Sequence, residues 1–300
     1  MSLLVVGSVA LDSVETPSEV REDVLGGSAV YFSYAASFFA PVRLVGVVGD
    51  DWPDEHSDVL RARNIATAGL QVIAGAKTFR WRGKYMTDMN TRETLDIQLN
   101  AMGTFDPVLP DAFRRSKYLF LANGSTKLQL KVLDQCAGAD LRVADTMDLW
   151  IKTERDELAD LLRRIDGLVL NDSEAKLLTG DDNLVRAGHA VRAMGPRFVV
   201  IKKGEHGAMF FSKHETYVLP AYPTARVVDP TGAGDSFAGG MMGYLAEQGN
   251  FEPKTLKEAM AYGILVASFT VEDFSLDRLK QIERPDLDRR MAEYRQMLSF

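Results

Sequence analysis

The sequence predicts an α/β chain built in three layers. Helices cover both faces of a mostly parallel central sheet, and a small β lid stands beside it. Two observations carry this expectation. Short apolar runs that do not alternate recur between longer amphipathic segments, the pattern of strands covered on both faces and of the helices that cover them. One later segment instead alternates apolar and polar residues between turn signals, the pattern of a half-exposed antiparallel sheet.

The elements follow in order. LLVVGSV (3–9) is a buried strand, and SVETPSEVREDVL (13–25) is polar and too short for a crossover helix. SAVYFSYAASFF (28–39) and DEHSDVLRARN (54–64) have helical spacing and flank a strand, VRLVGVV (42–48). AKTFRWRGKYMTDMNTRETLDIQLN (76–100) has turn signals at Arg82-Gly83 and Met89-Asn90 and predicts two or three antiparallel strands. YLFLA (118–122), LRVAD (141–145), GLVLN (167–171) and RFVVIKK (197–203) are further strands. The helical segments STKLQLKVLDQCA (125–137), TERDELADLLRRI (153–165) and DDNLVRAGHAVRAM (181–194) alternate with them. From Gly234 onward the pattern is mostly helical. No repeat or interdomain linker interrupts the chain, so one domain over 1–300 is expected, with a lid formed by 13–25 and 76–100.

Composition narrows the function. The 300 residues, 46% hydrophobic, suffice for one large core. A formal charge of −7 argues against a nucleic-acid partner. Cys136 is the sole cysteine, so no intrachain disulfide forms, and the four histidines show no HxxxH or HExxH spacing. The N-terminal run has no basic flank, and no window approaches the about 20 apolar residues of a membrane span. A cytoplasmic protein without a membrane partner is expected.

The stretch VVDPTGAGDSFAGGMM (227–242) carries four glycines and two aspartates between apolar runs. Gly232, Ala233 and Gly234 fall at the start of a predicted helix, where free amides and the helix dipole bind anions. Asp235 follows at the first turn. A carboxylate there would repel a phosphate unless it accepts a proton from an attacking hydroxyl; otherwise it is a helix cap. No GxxxxGK[ST] sequence occurs, and GAGDSF lacks the third glycine of a dinucleotide-binding GxGxxG, which argues against an oxidoreductase.

DPTGAGDSFAGGMM resembles the C-terminal signature of the ribokinase-like (PfkB) carbohydrate and nucleoside kinases, and further motifs extend the resemblance along nearly the whole chain in order. GSVALD ends in Asp12, Gly26-Gly27 opens a helix, NDSE spans Asn171 to Glu174, and KKGEHG contains Gly204 and Gly207. The resemblance implies ATP-dependent phosphoryl transfer to a hydroxyl of a small sugar-like substrate. Asp235 would be the general base, and the amides of Gly232, Ala233 and Gly234 the anion hole. Asp12, with Gly26 and Gly27, would bind substrate. Asn171, Lys202, Gly204 and Gly207 would bind the nucleotide, and Glu174 would hold magnesium through water. Asp229 and Thr231 are the nearest candidates for a monovalent cation such as K⁺, which several family members bind. Taken singly, these residues also have plain structural readings: helix caps at Asn171 and Glu174, a hairpin turn at Gly204 and Gly207, a strand-end turn at Asp12.

The sequence departs from the family at several places. Tyr31 stands where many members have an asparagine that reads a sugar hydroxyl; helix packing is its plainer role. Phe79, Trp81 and Tyr85 share one strand face, either as a platform for a base or sugar or as the lid's own small core. Arg80, Arg82 and Lys84 alternate with them, facing a substrate phosphate or solvent. DTMDLW (145–150) only partly matches a run found in sugar-acid kinases, and no site residue is assigned there. A nucleoside (adenosine-like) kinase is the alternative within the enzyme class, and a non-catalytic sugar- or nucleotide-sensing module the alternative outside it. Exposed lid edges also predict a homodimer through the lid.

Overall fold

The computed structural model describes residues 1–299. The chain runs β1 (Leu3–Val6), β2 (Ala10–Glu15), β3 (Val20–Gly26), α1 (Ser28–Ala36), β4 (Val42–Gly49), α2 (Asp54–Ala62), β5 (Ile65–Ile73), β6 (Phe79–Tyr85) and β7 (Arg92–Gln98). It continues through β8 (Tyr118–Leu121), α3 (Thr126–Gln135), β9 (Leu141–Asp145), α4 (Asp148–Thr153), α5 (Arg155–Leu162), β10 (Gly167–Asn171), α6 (Asp172–Thr179) and α7 (Leu184–Ala193). It ends with β11 (Phe198–Lys202), β12 (Ala208–Ser212), β13 (Thr216–Leu219), α8 (Ala233–Gln248), α9 (Pro253–Thr270) and α10 (Arg284–Met297).

Nine strands form the central sheet in the order β13-β12-β11-β10-β9-β8-β1-β4-β5. Pairing is parallel from β11 to β5 and antiparallel for β12 and β13. From β1 the chain first winds outward through β4 and β5, then returns to build the other side from β8 onward. The reversal lies between β1 and β8, where open α/β sheets carry their sites at the strands' carboxyl ends. Both faces are covered. Leu3 and Val5 pack with α1, α8 and α9, while Leu4 and Val6 pack with α3, α5 and α7. The expected three-layer, mostly parallel architecture is the one observed.

A second sheet has the order β3-β2-β6-β7. Its β2–β3 and β6–β7 hairpins are antiparallel, but β2 and β6 pair in parallel, Ala10 opposite Phe79 and Asp12 opposite Trp81. The expected turn at Arg82-Gly83 is not there. β6 continues through it with a register shift against β7, because the Trp81 indole lies across Gly83, where a side chain would overlap it. The hairpin turns at 86–91, at the expected Met89-Asn90 signal, with Met89 in the left-handed region at φ 55°.

Other boundaries also move. The strand expected at 3–9 ends at Val6, and a separate strand, β2, begins at Ala10 in the other sheet. β5 carries solvent-exposed positions along its length, as expected of a strand at the sheet's edge, so it lacks the unbroken apolar run that marks an inner strand. The helix expected at 153–165 is α5, and a short α4, not expected from sequence, precedes it over Asp148–Thr153. Glu154 leaves helical geometry between them, and its carboxylate accepts from Ser125 Oγ and the Thr126 amide at the start of α3.

α8 is held close on two sides. A β-carbon at Gly239 would lie 2.3 Å from the Phe32 carbonyl oxygen of α1, and one at Gly240 2.9 Å from Val266 of α9.

Candidate active site

Three neighbouring parallel strands end in polar residues: Asp145 on β9, Asn171 on β10 and Lys202 on β11. Asn171 and Lys202 are direct register partners. The Lys202 ammonium lies 3.5 Å from Asp145 Oδ2. Burial opposes its charge, but the carboxylates of Asp145, Glu174 and Asp235 hold its pKa above the ordinary lysine value. The same ammonium stands 2.9 Å from where a β-carbon would sit on Gly234. Lys202 therefore packs against the glycine turn.

Asn171 caps α6. Its Oδ1 accepts from the Glu174 amide at 2.8 Å, and Glu174 Oε2 accepts from the Asn171 amide at 2.7 Å, a closed capping box. The plain structural reading of this pair is thus present. It uses one oxygen of each side chain; Glu174 Oε1 and Asn171 Nδ2 have no protein partner among the described residues. Burial, then the Asp145 charge, pushes the Glu174 carboxyl up.

The glycine turn begins at Asp229, 1% exposed, whose Oδ1 accepts from the Thr231 amide at 2.9 Å. Its Oδ2 is buried without a donor. Burial raises its pKa to about 6, against the pull of the Thr231 hydrogen bonds. Gly232 caps α8 at φ 73°, a left-handed conformation that suits glycine. The Ala233 amide donates to the Pro230 carbonyl at 3.1 Å, so among the expected hole amides only those of Gly232 and Gly234 have no backbone acceptor among the described residues. Asp235 is the third residue of α8. Burial and then the Asp145 charge raise its pKa to about 7, while Lys202 and Arg92 draw it down.

On the far side of this turn lies Asp12, 4% exposed, accepting from the Gly27 amide at 3.3 Å as Gly27 caps α1. Burial raises its pKa to about 7 despite that hydrogen bond. The Tyr31 ring packs on Gly232, whose β-carbon would lie 2.3 Å from it. The Tyr31 hydroxyl is buried and finds no partner. Burial and the nearby Asp229 and Asp12 charges push its pKa well up. Helix packing, the plainer reading of Tyr31, is what the structure shows.

The second sheet meets this turn through Tyr85, which packs with Val14 and Phe274 and whose hydroxyl pairs with Thr231 Oγ1 at 3.3 Å. Trp81 lies half-buried against the same cluster. Its register partners are Asp12 on β2 and Ile97 on β7, so all three share the sheet face toward the turn, with Ile97 52% exposed. On the opposite face Arg80 pairs with Asp23 and Asp51, Arg82 with Glu22 and Lys84 with Glu15. These cations are paired, Arg82 and Lys84 within the lid strands and Arg80 also to Asp51 beyond β4.

Gly204 and Gly207 bound a 3₁₀ turn between β11 and β12 and both have positive φ. A cleft of about 590 Å³ runs from this turn past Lys202, Ala233 and Gly234 to an apolar end walled by Tyr222, Val227, Phe237 and Ile264. Its size and its two unlike ends suit a nucleotide, the base in the apolar slot and the phosphates at the glycine turns. Asp12, Tyr31 and Asp229 lie on the other side of the α8 turn and do not line this cleft.

Two site residues had no assignment from sequence. Asp145 ends an apolar run, as Asn171 and Lys202 do, which was its available signal. Arg92, at the start of β7, is exposed and close enough to Asp12, Asp148 and Asp235 to lower the pKa of each, and its guanidinium lies 5.3 Å from the Trp81 ring centre. No local pattern marked it.

Sheet, turn and cleft together define a phosphotransferase with an alcohol group as acceptor on a ribokinase-like fold. Residues 3–281 match the family model of the pfkB family carbohydrate kinases, and the chain belongs to that family. It is 29% identical over 250 residues to the cytidine kinase of Thermococcus kodakarensis, covering 81% of this chain and 87% of that one. It is 26% identical over 288 residues to the inositol 3-kinase of Arabidopsis thaliana, covering 90% and 74%. A ribokinase II from E. coli, solved with ATP and Mg²⁺, superposes with a TM-score of 0.81 at 19% identity, covering 97% of this chain and 99% of that one. The chain is a ribokinase-family sugar or nucleoside kinase. Among the described residues no helix is long and apolar enough to cross a membrane.

Proposed function

We propose that the chain transfers the γ-phosphoryl group of ATP to a hydroxyl of a nucleoside, with Asp235 as the general base. The observation that carries the nucleoside assignment is the face shared by Asp12, Trp81 and Ile97. A carboxylate that can accept from two neighbouring ribose hydroxyls stands beside an indole and an exposed aliphatic side chain, a surface suited to a planar base. The likeness to a cytidine kinase supports the same reading. A free cyclic polyol is the second reading, supported by the likeness to an inositol kinase.

The chemistry follows from positions. Asp235 takes the proton of the attacking hydroxyl, and its raised pKa makes it a competent base near neutral pH. As charge spreads over the moving phosphoryl group, the Gly232 and Gly234 amides, the α8 dipole and the Lys202 ammonium stabilise it. Magnesium bound with ATP would neutralise phosphate charge. The donor set fits an ion held mainly by phosphates and water: Glu174 Oε1 is available, and among the described residues no cluster of three or more His, Cys, Asp or Glu side chains forms a cage. A monovalent cation fits beside Asp229 and Thr231 because Asp229 Oδ2 is buried without a donor.

The test is ADP release with MgATP across nucleosides, free sugars, inositol and sugar acids, with Asp235→Asn as control. A nucleoside should give the highest kcat/KM, and the control should lose about 10²–10⁴ in turnover while still binding ATP. A preferred polyol would replace the nucleoside assignment. An equally active control would remove Asp235 from the base role. ATP binding without transfer to any acceptor would favour a sensing module.

A further inference from the structure

The β6–β7 hairpin belongs to the sheet that faces the acceptor pocket, yet its tip reaches the other side of the site. Asp88, Met89 and Asn90 line the same cleft as Lys202, Gly204 and Gly234. Asn90 Nδ2 donates to Glu205 Oε1 at 3.3 Å, inside the Gly204–Gly207 turn. A β-carbon on Gly204 would lie 3.4 Å from Asn90 Oδ1. The contact therefore joins two segments far apart in sequence, one from each sheet.

The tip is also built to hold its shape. The Asp88 carboxylate accepts from the Asn90 amide at 3.0 Å, the Thr91 amide at 2.8 Å and Thr91 Oγ1 at 2.6 Å, closing the turn on itself. Met89, at positive φ, packs back on the cluster of Val14, Tyr85 and Phe274. Asn90 is thereby presented outward with no hydrogen bond from its carboxamide to its own hairpin.

We infer that this tip is part of the donor-nucleotide site and that Asn90 is a ligand of the nucleotide's phosphates. A primary amide carries two N–H donors and one acceptor. One donor meets Glu205, and the other is free to meet a phosphate oxygen at the same turn. Placing the amide there also separates the Glu205 carboxylate from phosphate charge. The arrangement rests on the kinase reading above and adds that one hairpin touches both substrates. Tyr85 and Arg92, at its two stems, border the acceptor side; Asn90, at its tip, borders the donor. Nucleotide binding then fixes the hairpin against the acceptor pocket without a separate relay.

The test is calorimetric titration of the folded protein with MgADP alone, in the wild type, in Asn90→Ala and in Thr87→Ala. Thr87 is exposed in the same turn and does not line the cleft. The expected result is an about five-fold or greater rise in the MgADP Kd for Asn90→Ala, the loss of one hydrogen bond to a charged group, and no change for Thr87→Ala. Unchanged MgADP affinity in Asn90→Ala, with or without a rise in acceptor KM, would overturn the assignment and leave the kinase reading standing. Equal weakening in both variants would also overturn it, since the effect would then belong to hairpin order rather than to Asn90. A wild type that binds no MgADP would overturn the kinase reading and this inference with it.

Discussion

Replacing Asp145 with asparagine should move the acidic limb of the pH–rate profile to lower pH. The substitution keeps the side chain's shape and its hydrogen bond from the Thr146 amide but removes a charge next to Lys202. Asp235 is held near 7 first by burial and second by the Asp145 charge, with Lys202 pulling the other way. Both electrostatic effects change in the same direction when Asp145 is neutralised. The like charge disappears, and Lys202 loses its nearest partner. At 3.5 Å and an effective dielectric of about 20, the Lys202–Asp145 attraction is about 5 kcal/mol before desolvation is counted. A quarter of that redirected to Asp235 is about 1.2 kcal/mol, close to one pKa unit. The assay is kcat/KM for the acceptor, from ADP release, between about pH 5.5 and 9, where a base that must be unprotonated gives a rate rising with pH to a plateau. The limb should shift down by about one unit, whatever happens to the plateau height. A limb that stays in place, or moves up, would refute the electrostatic account and with it Asp235 as the titrating base.

Two further outcomes concern stability. Tyr31→Phe removes a buried hydroxyl that has no partner, so the free protein should gain about 1 kcal/mol, about 2 °C in Tm; a lower Tm would mean the hydroxyl is satisfied in solution. Asp12, Asp229 and Asp235 all have pKa values raised from 3.8 to between about 6 and 7, so each binds its proton more tightly in the fold than in the unfolded chain. Their contribution to stability is therefore fully present below about pH 4 and is lost as pH rises through about 7, and the urea midpoint should be higher near pH 5.5 than near pH 8.5; a midpoint that climbs over this interval would contradict the raised values.

Much of this fold was legible because its inner strands are buried on both faces and leave unbroken apolar runs. β5, at the sheet's edge and only partly buried, leaves no such mark. β12 is a buried run, Ala208 to Phe211, but too short to stand out beside its neighbour β11. The glycine turn was legible because anion binding at a helix start demands small residues in sequence. Asn171 and Lys202 were singled out by motifs, NDSE and KKGEHG, and each also ends an apolar run. Asp145 ends one too, but its partner Lys202 lies far along the chain, and only the parallel sheet brings the two together. Arg92, and Asn90 as the proposed nucleotide ligand, were hidden for a different reason. Their hairpin contains a register shift at Arg82-Gly83, and which residues face the site depends on that shift. The glycine there looked like a turn because turns and bulges favour the same residue.

The close contacts of α8 with α1 and α9 bear on how this scaffold can be remodelled. With the Phe32 carbonyl and Val266 pressed against its glycines, the helix has no slack to absorb a larger side chain along its middle. The amides at its first turn are the end of that same rigid rod, so added bulk within the helix would be transmitted to the turn proposed as the phosphate hole. A search for new acceptor preference should therefore leave 232–243 untouched and draw its library from the hairpin face at Trp81 and Ile97. On the proposed reading, variation there would change the acceptor while leaving the glycine turn in place.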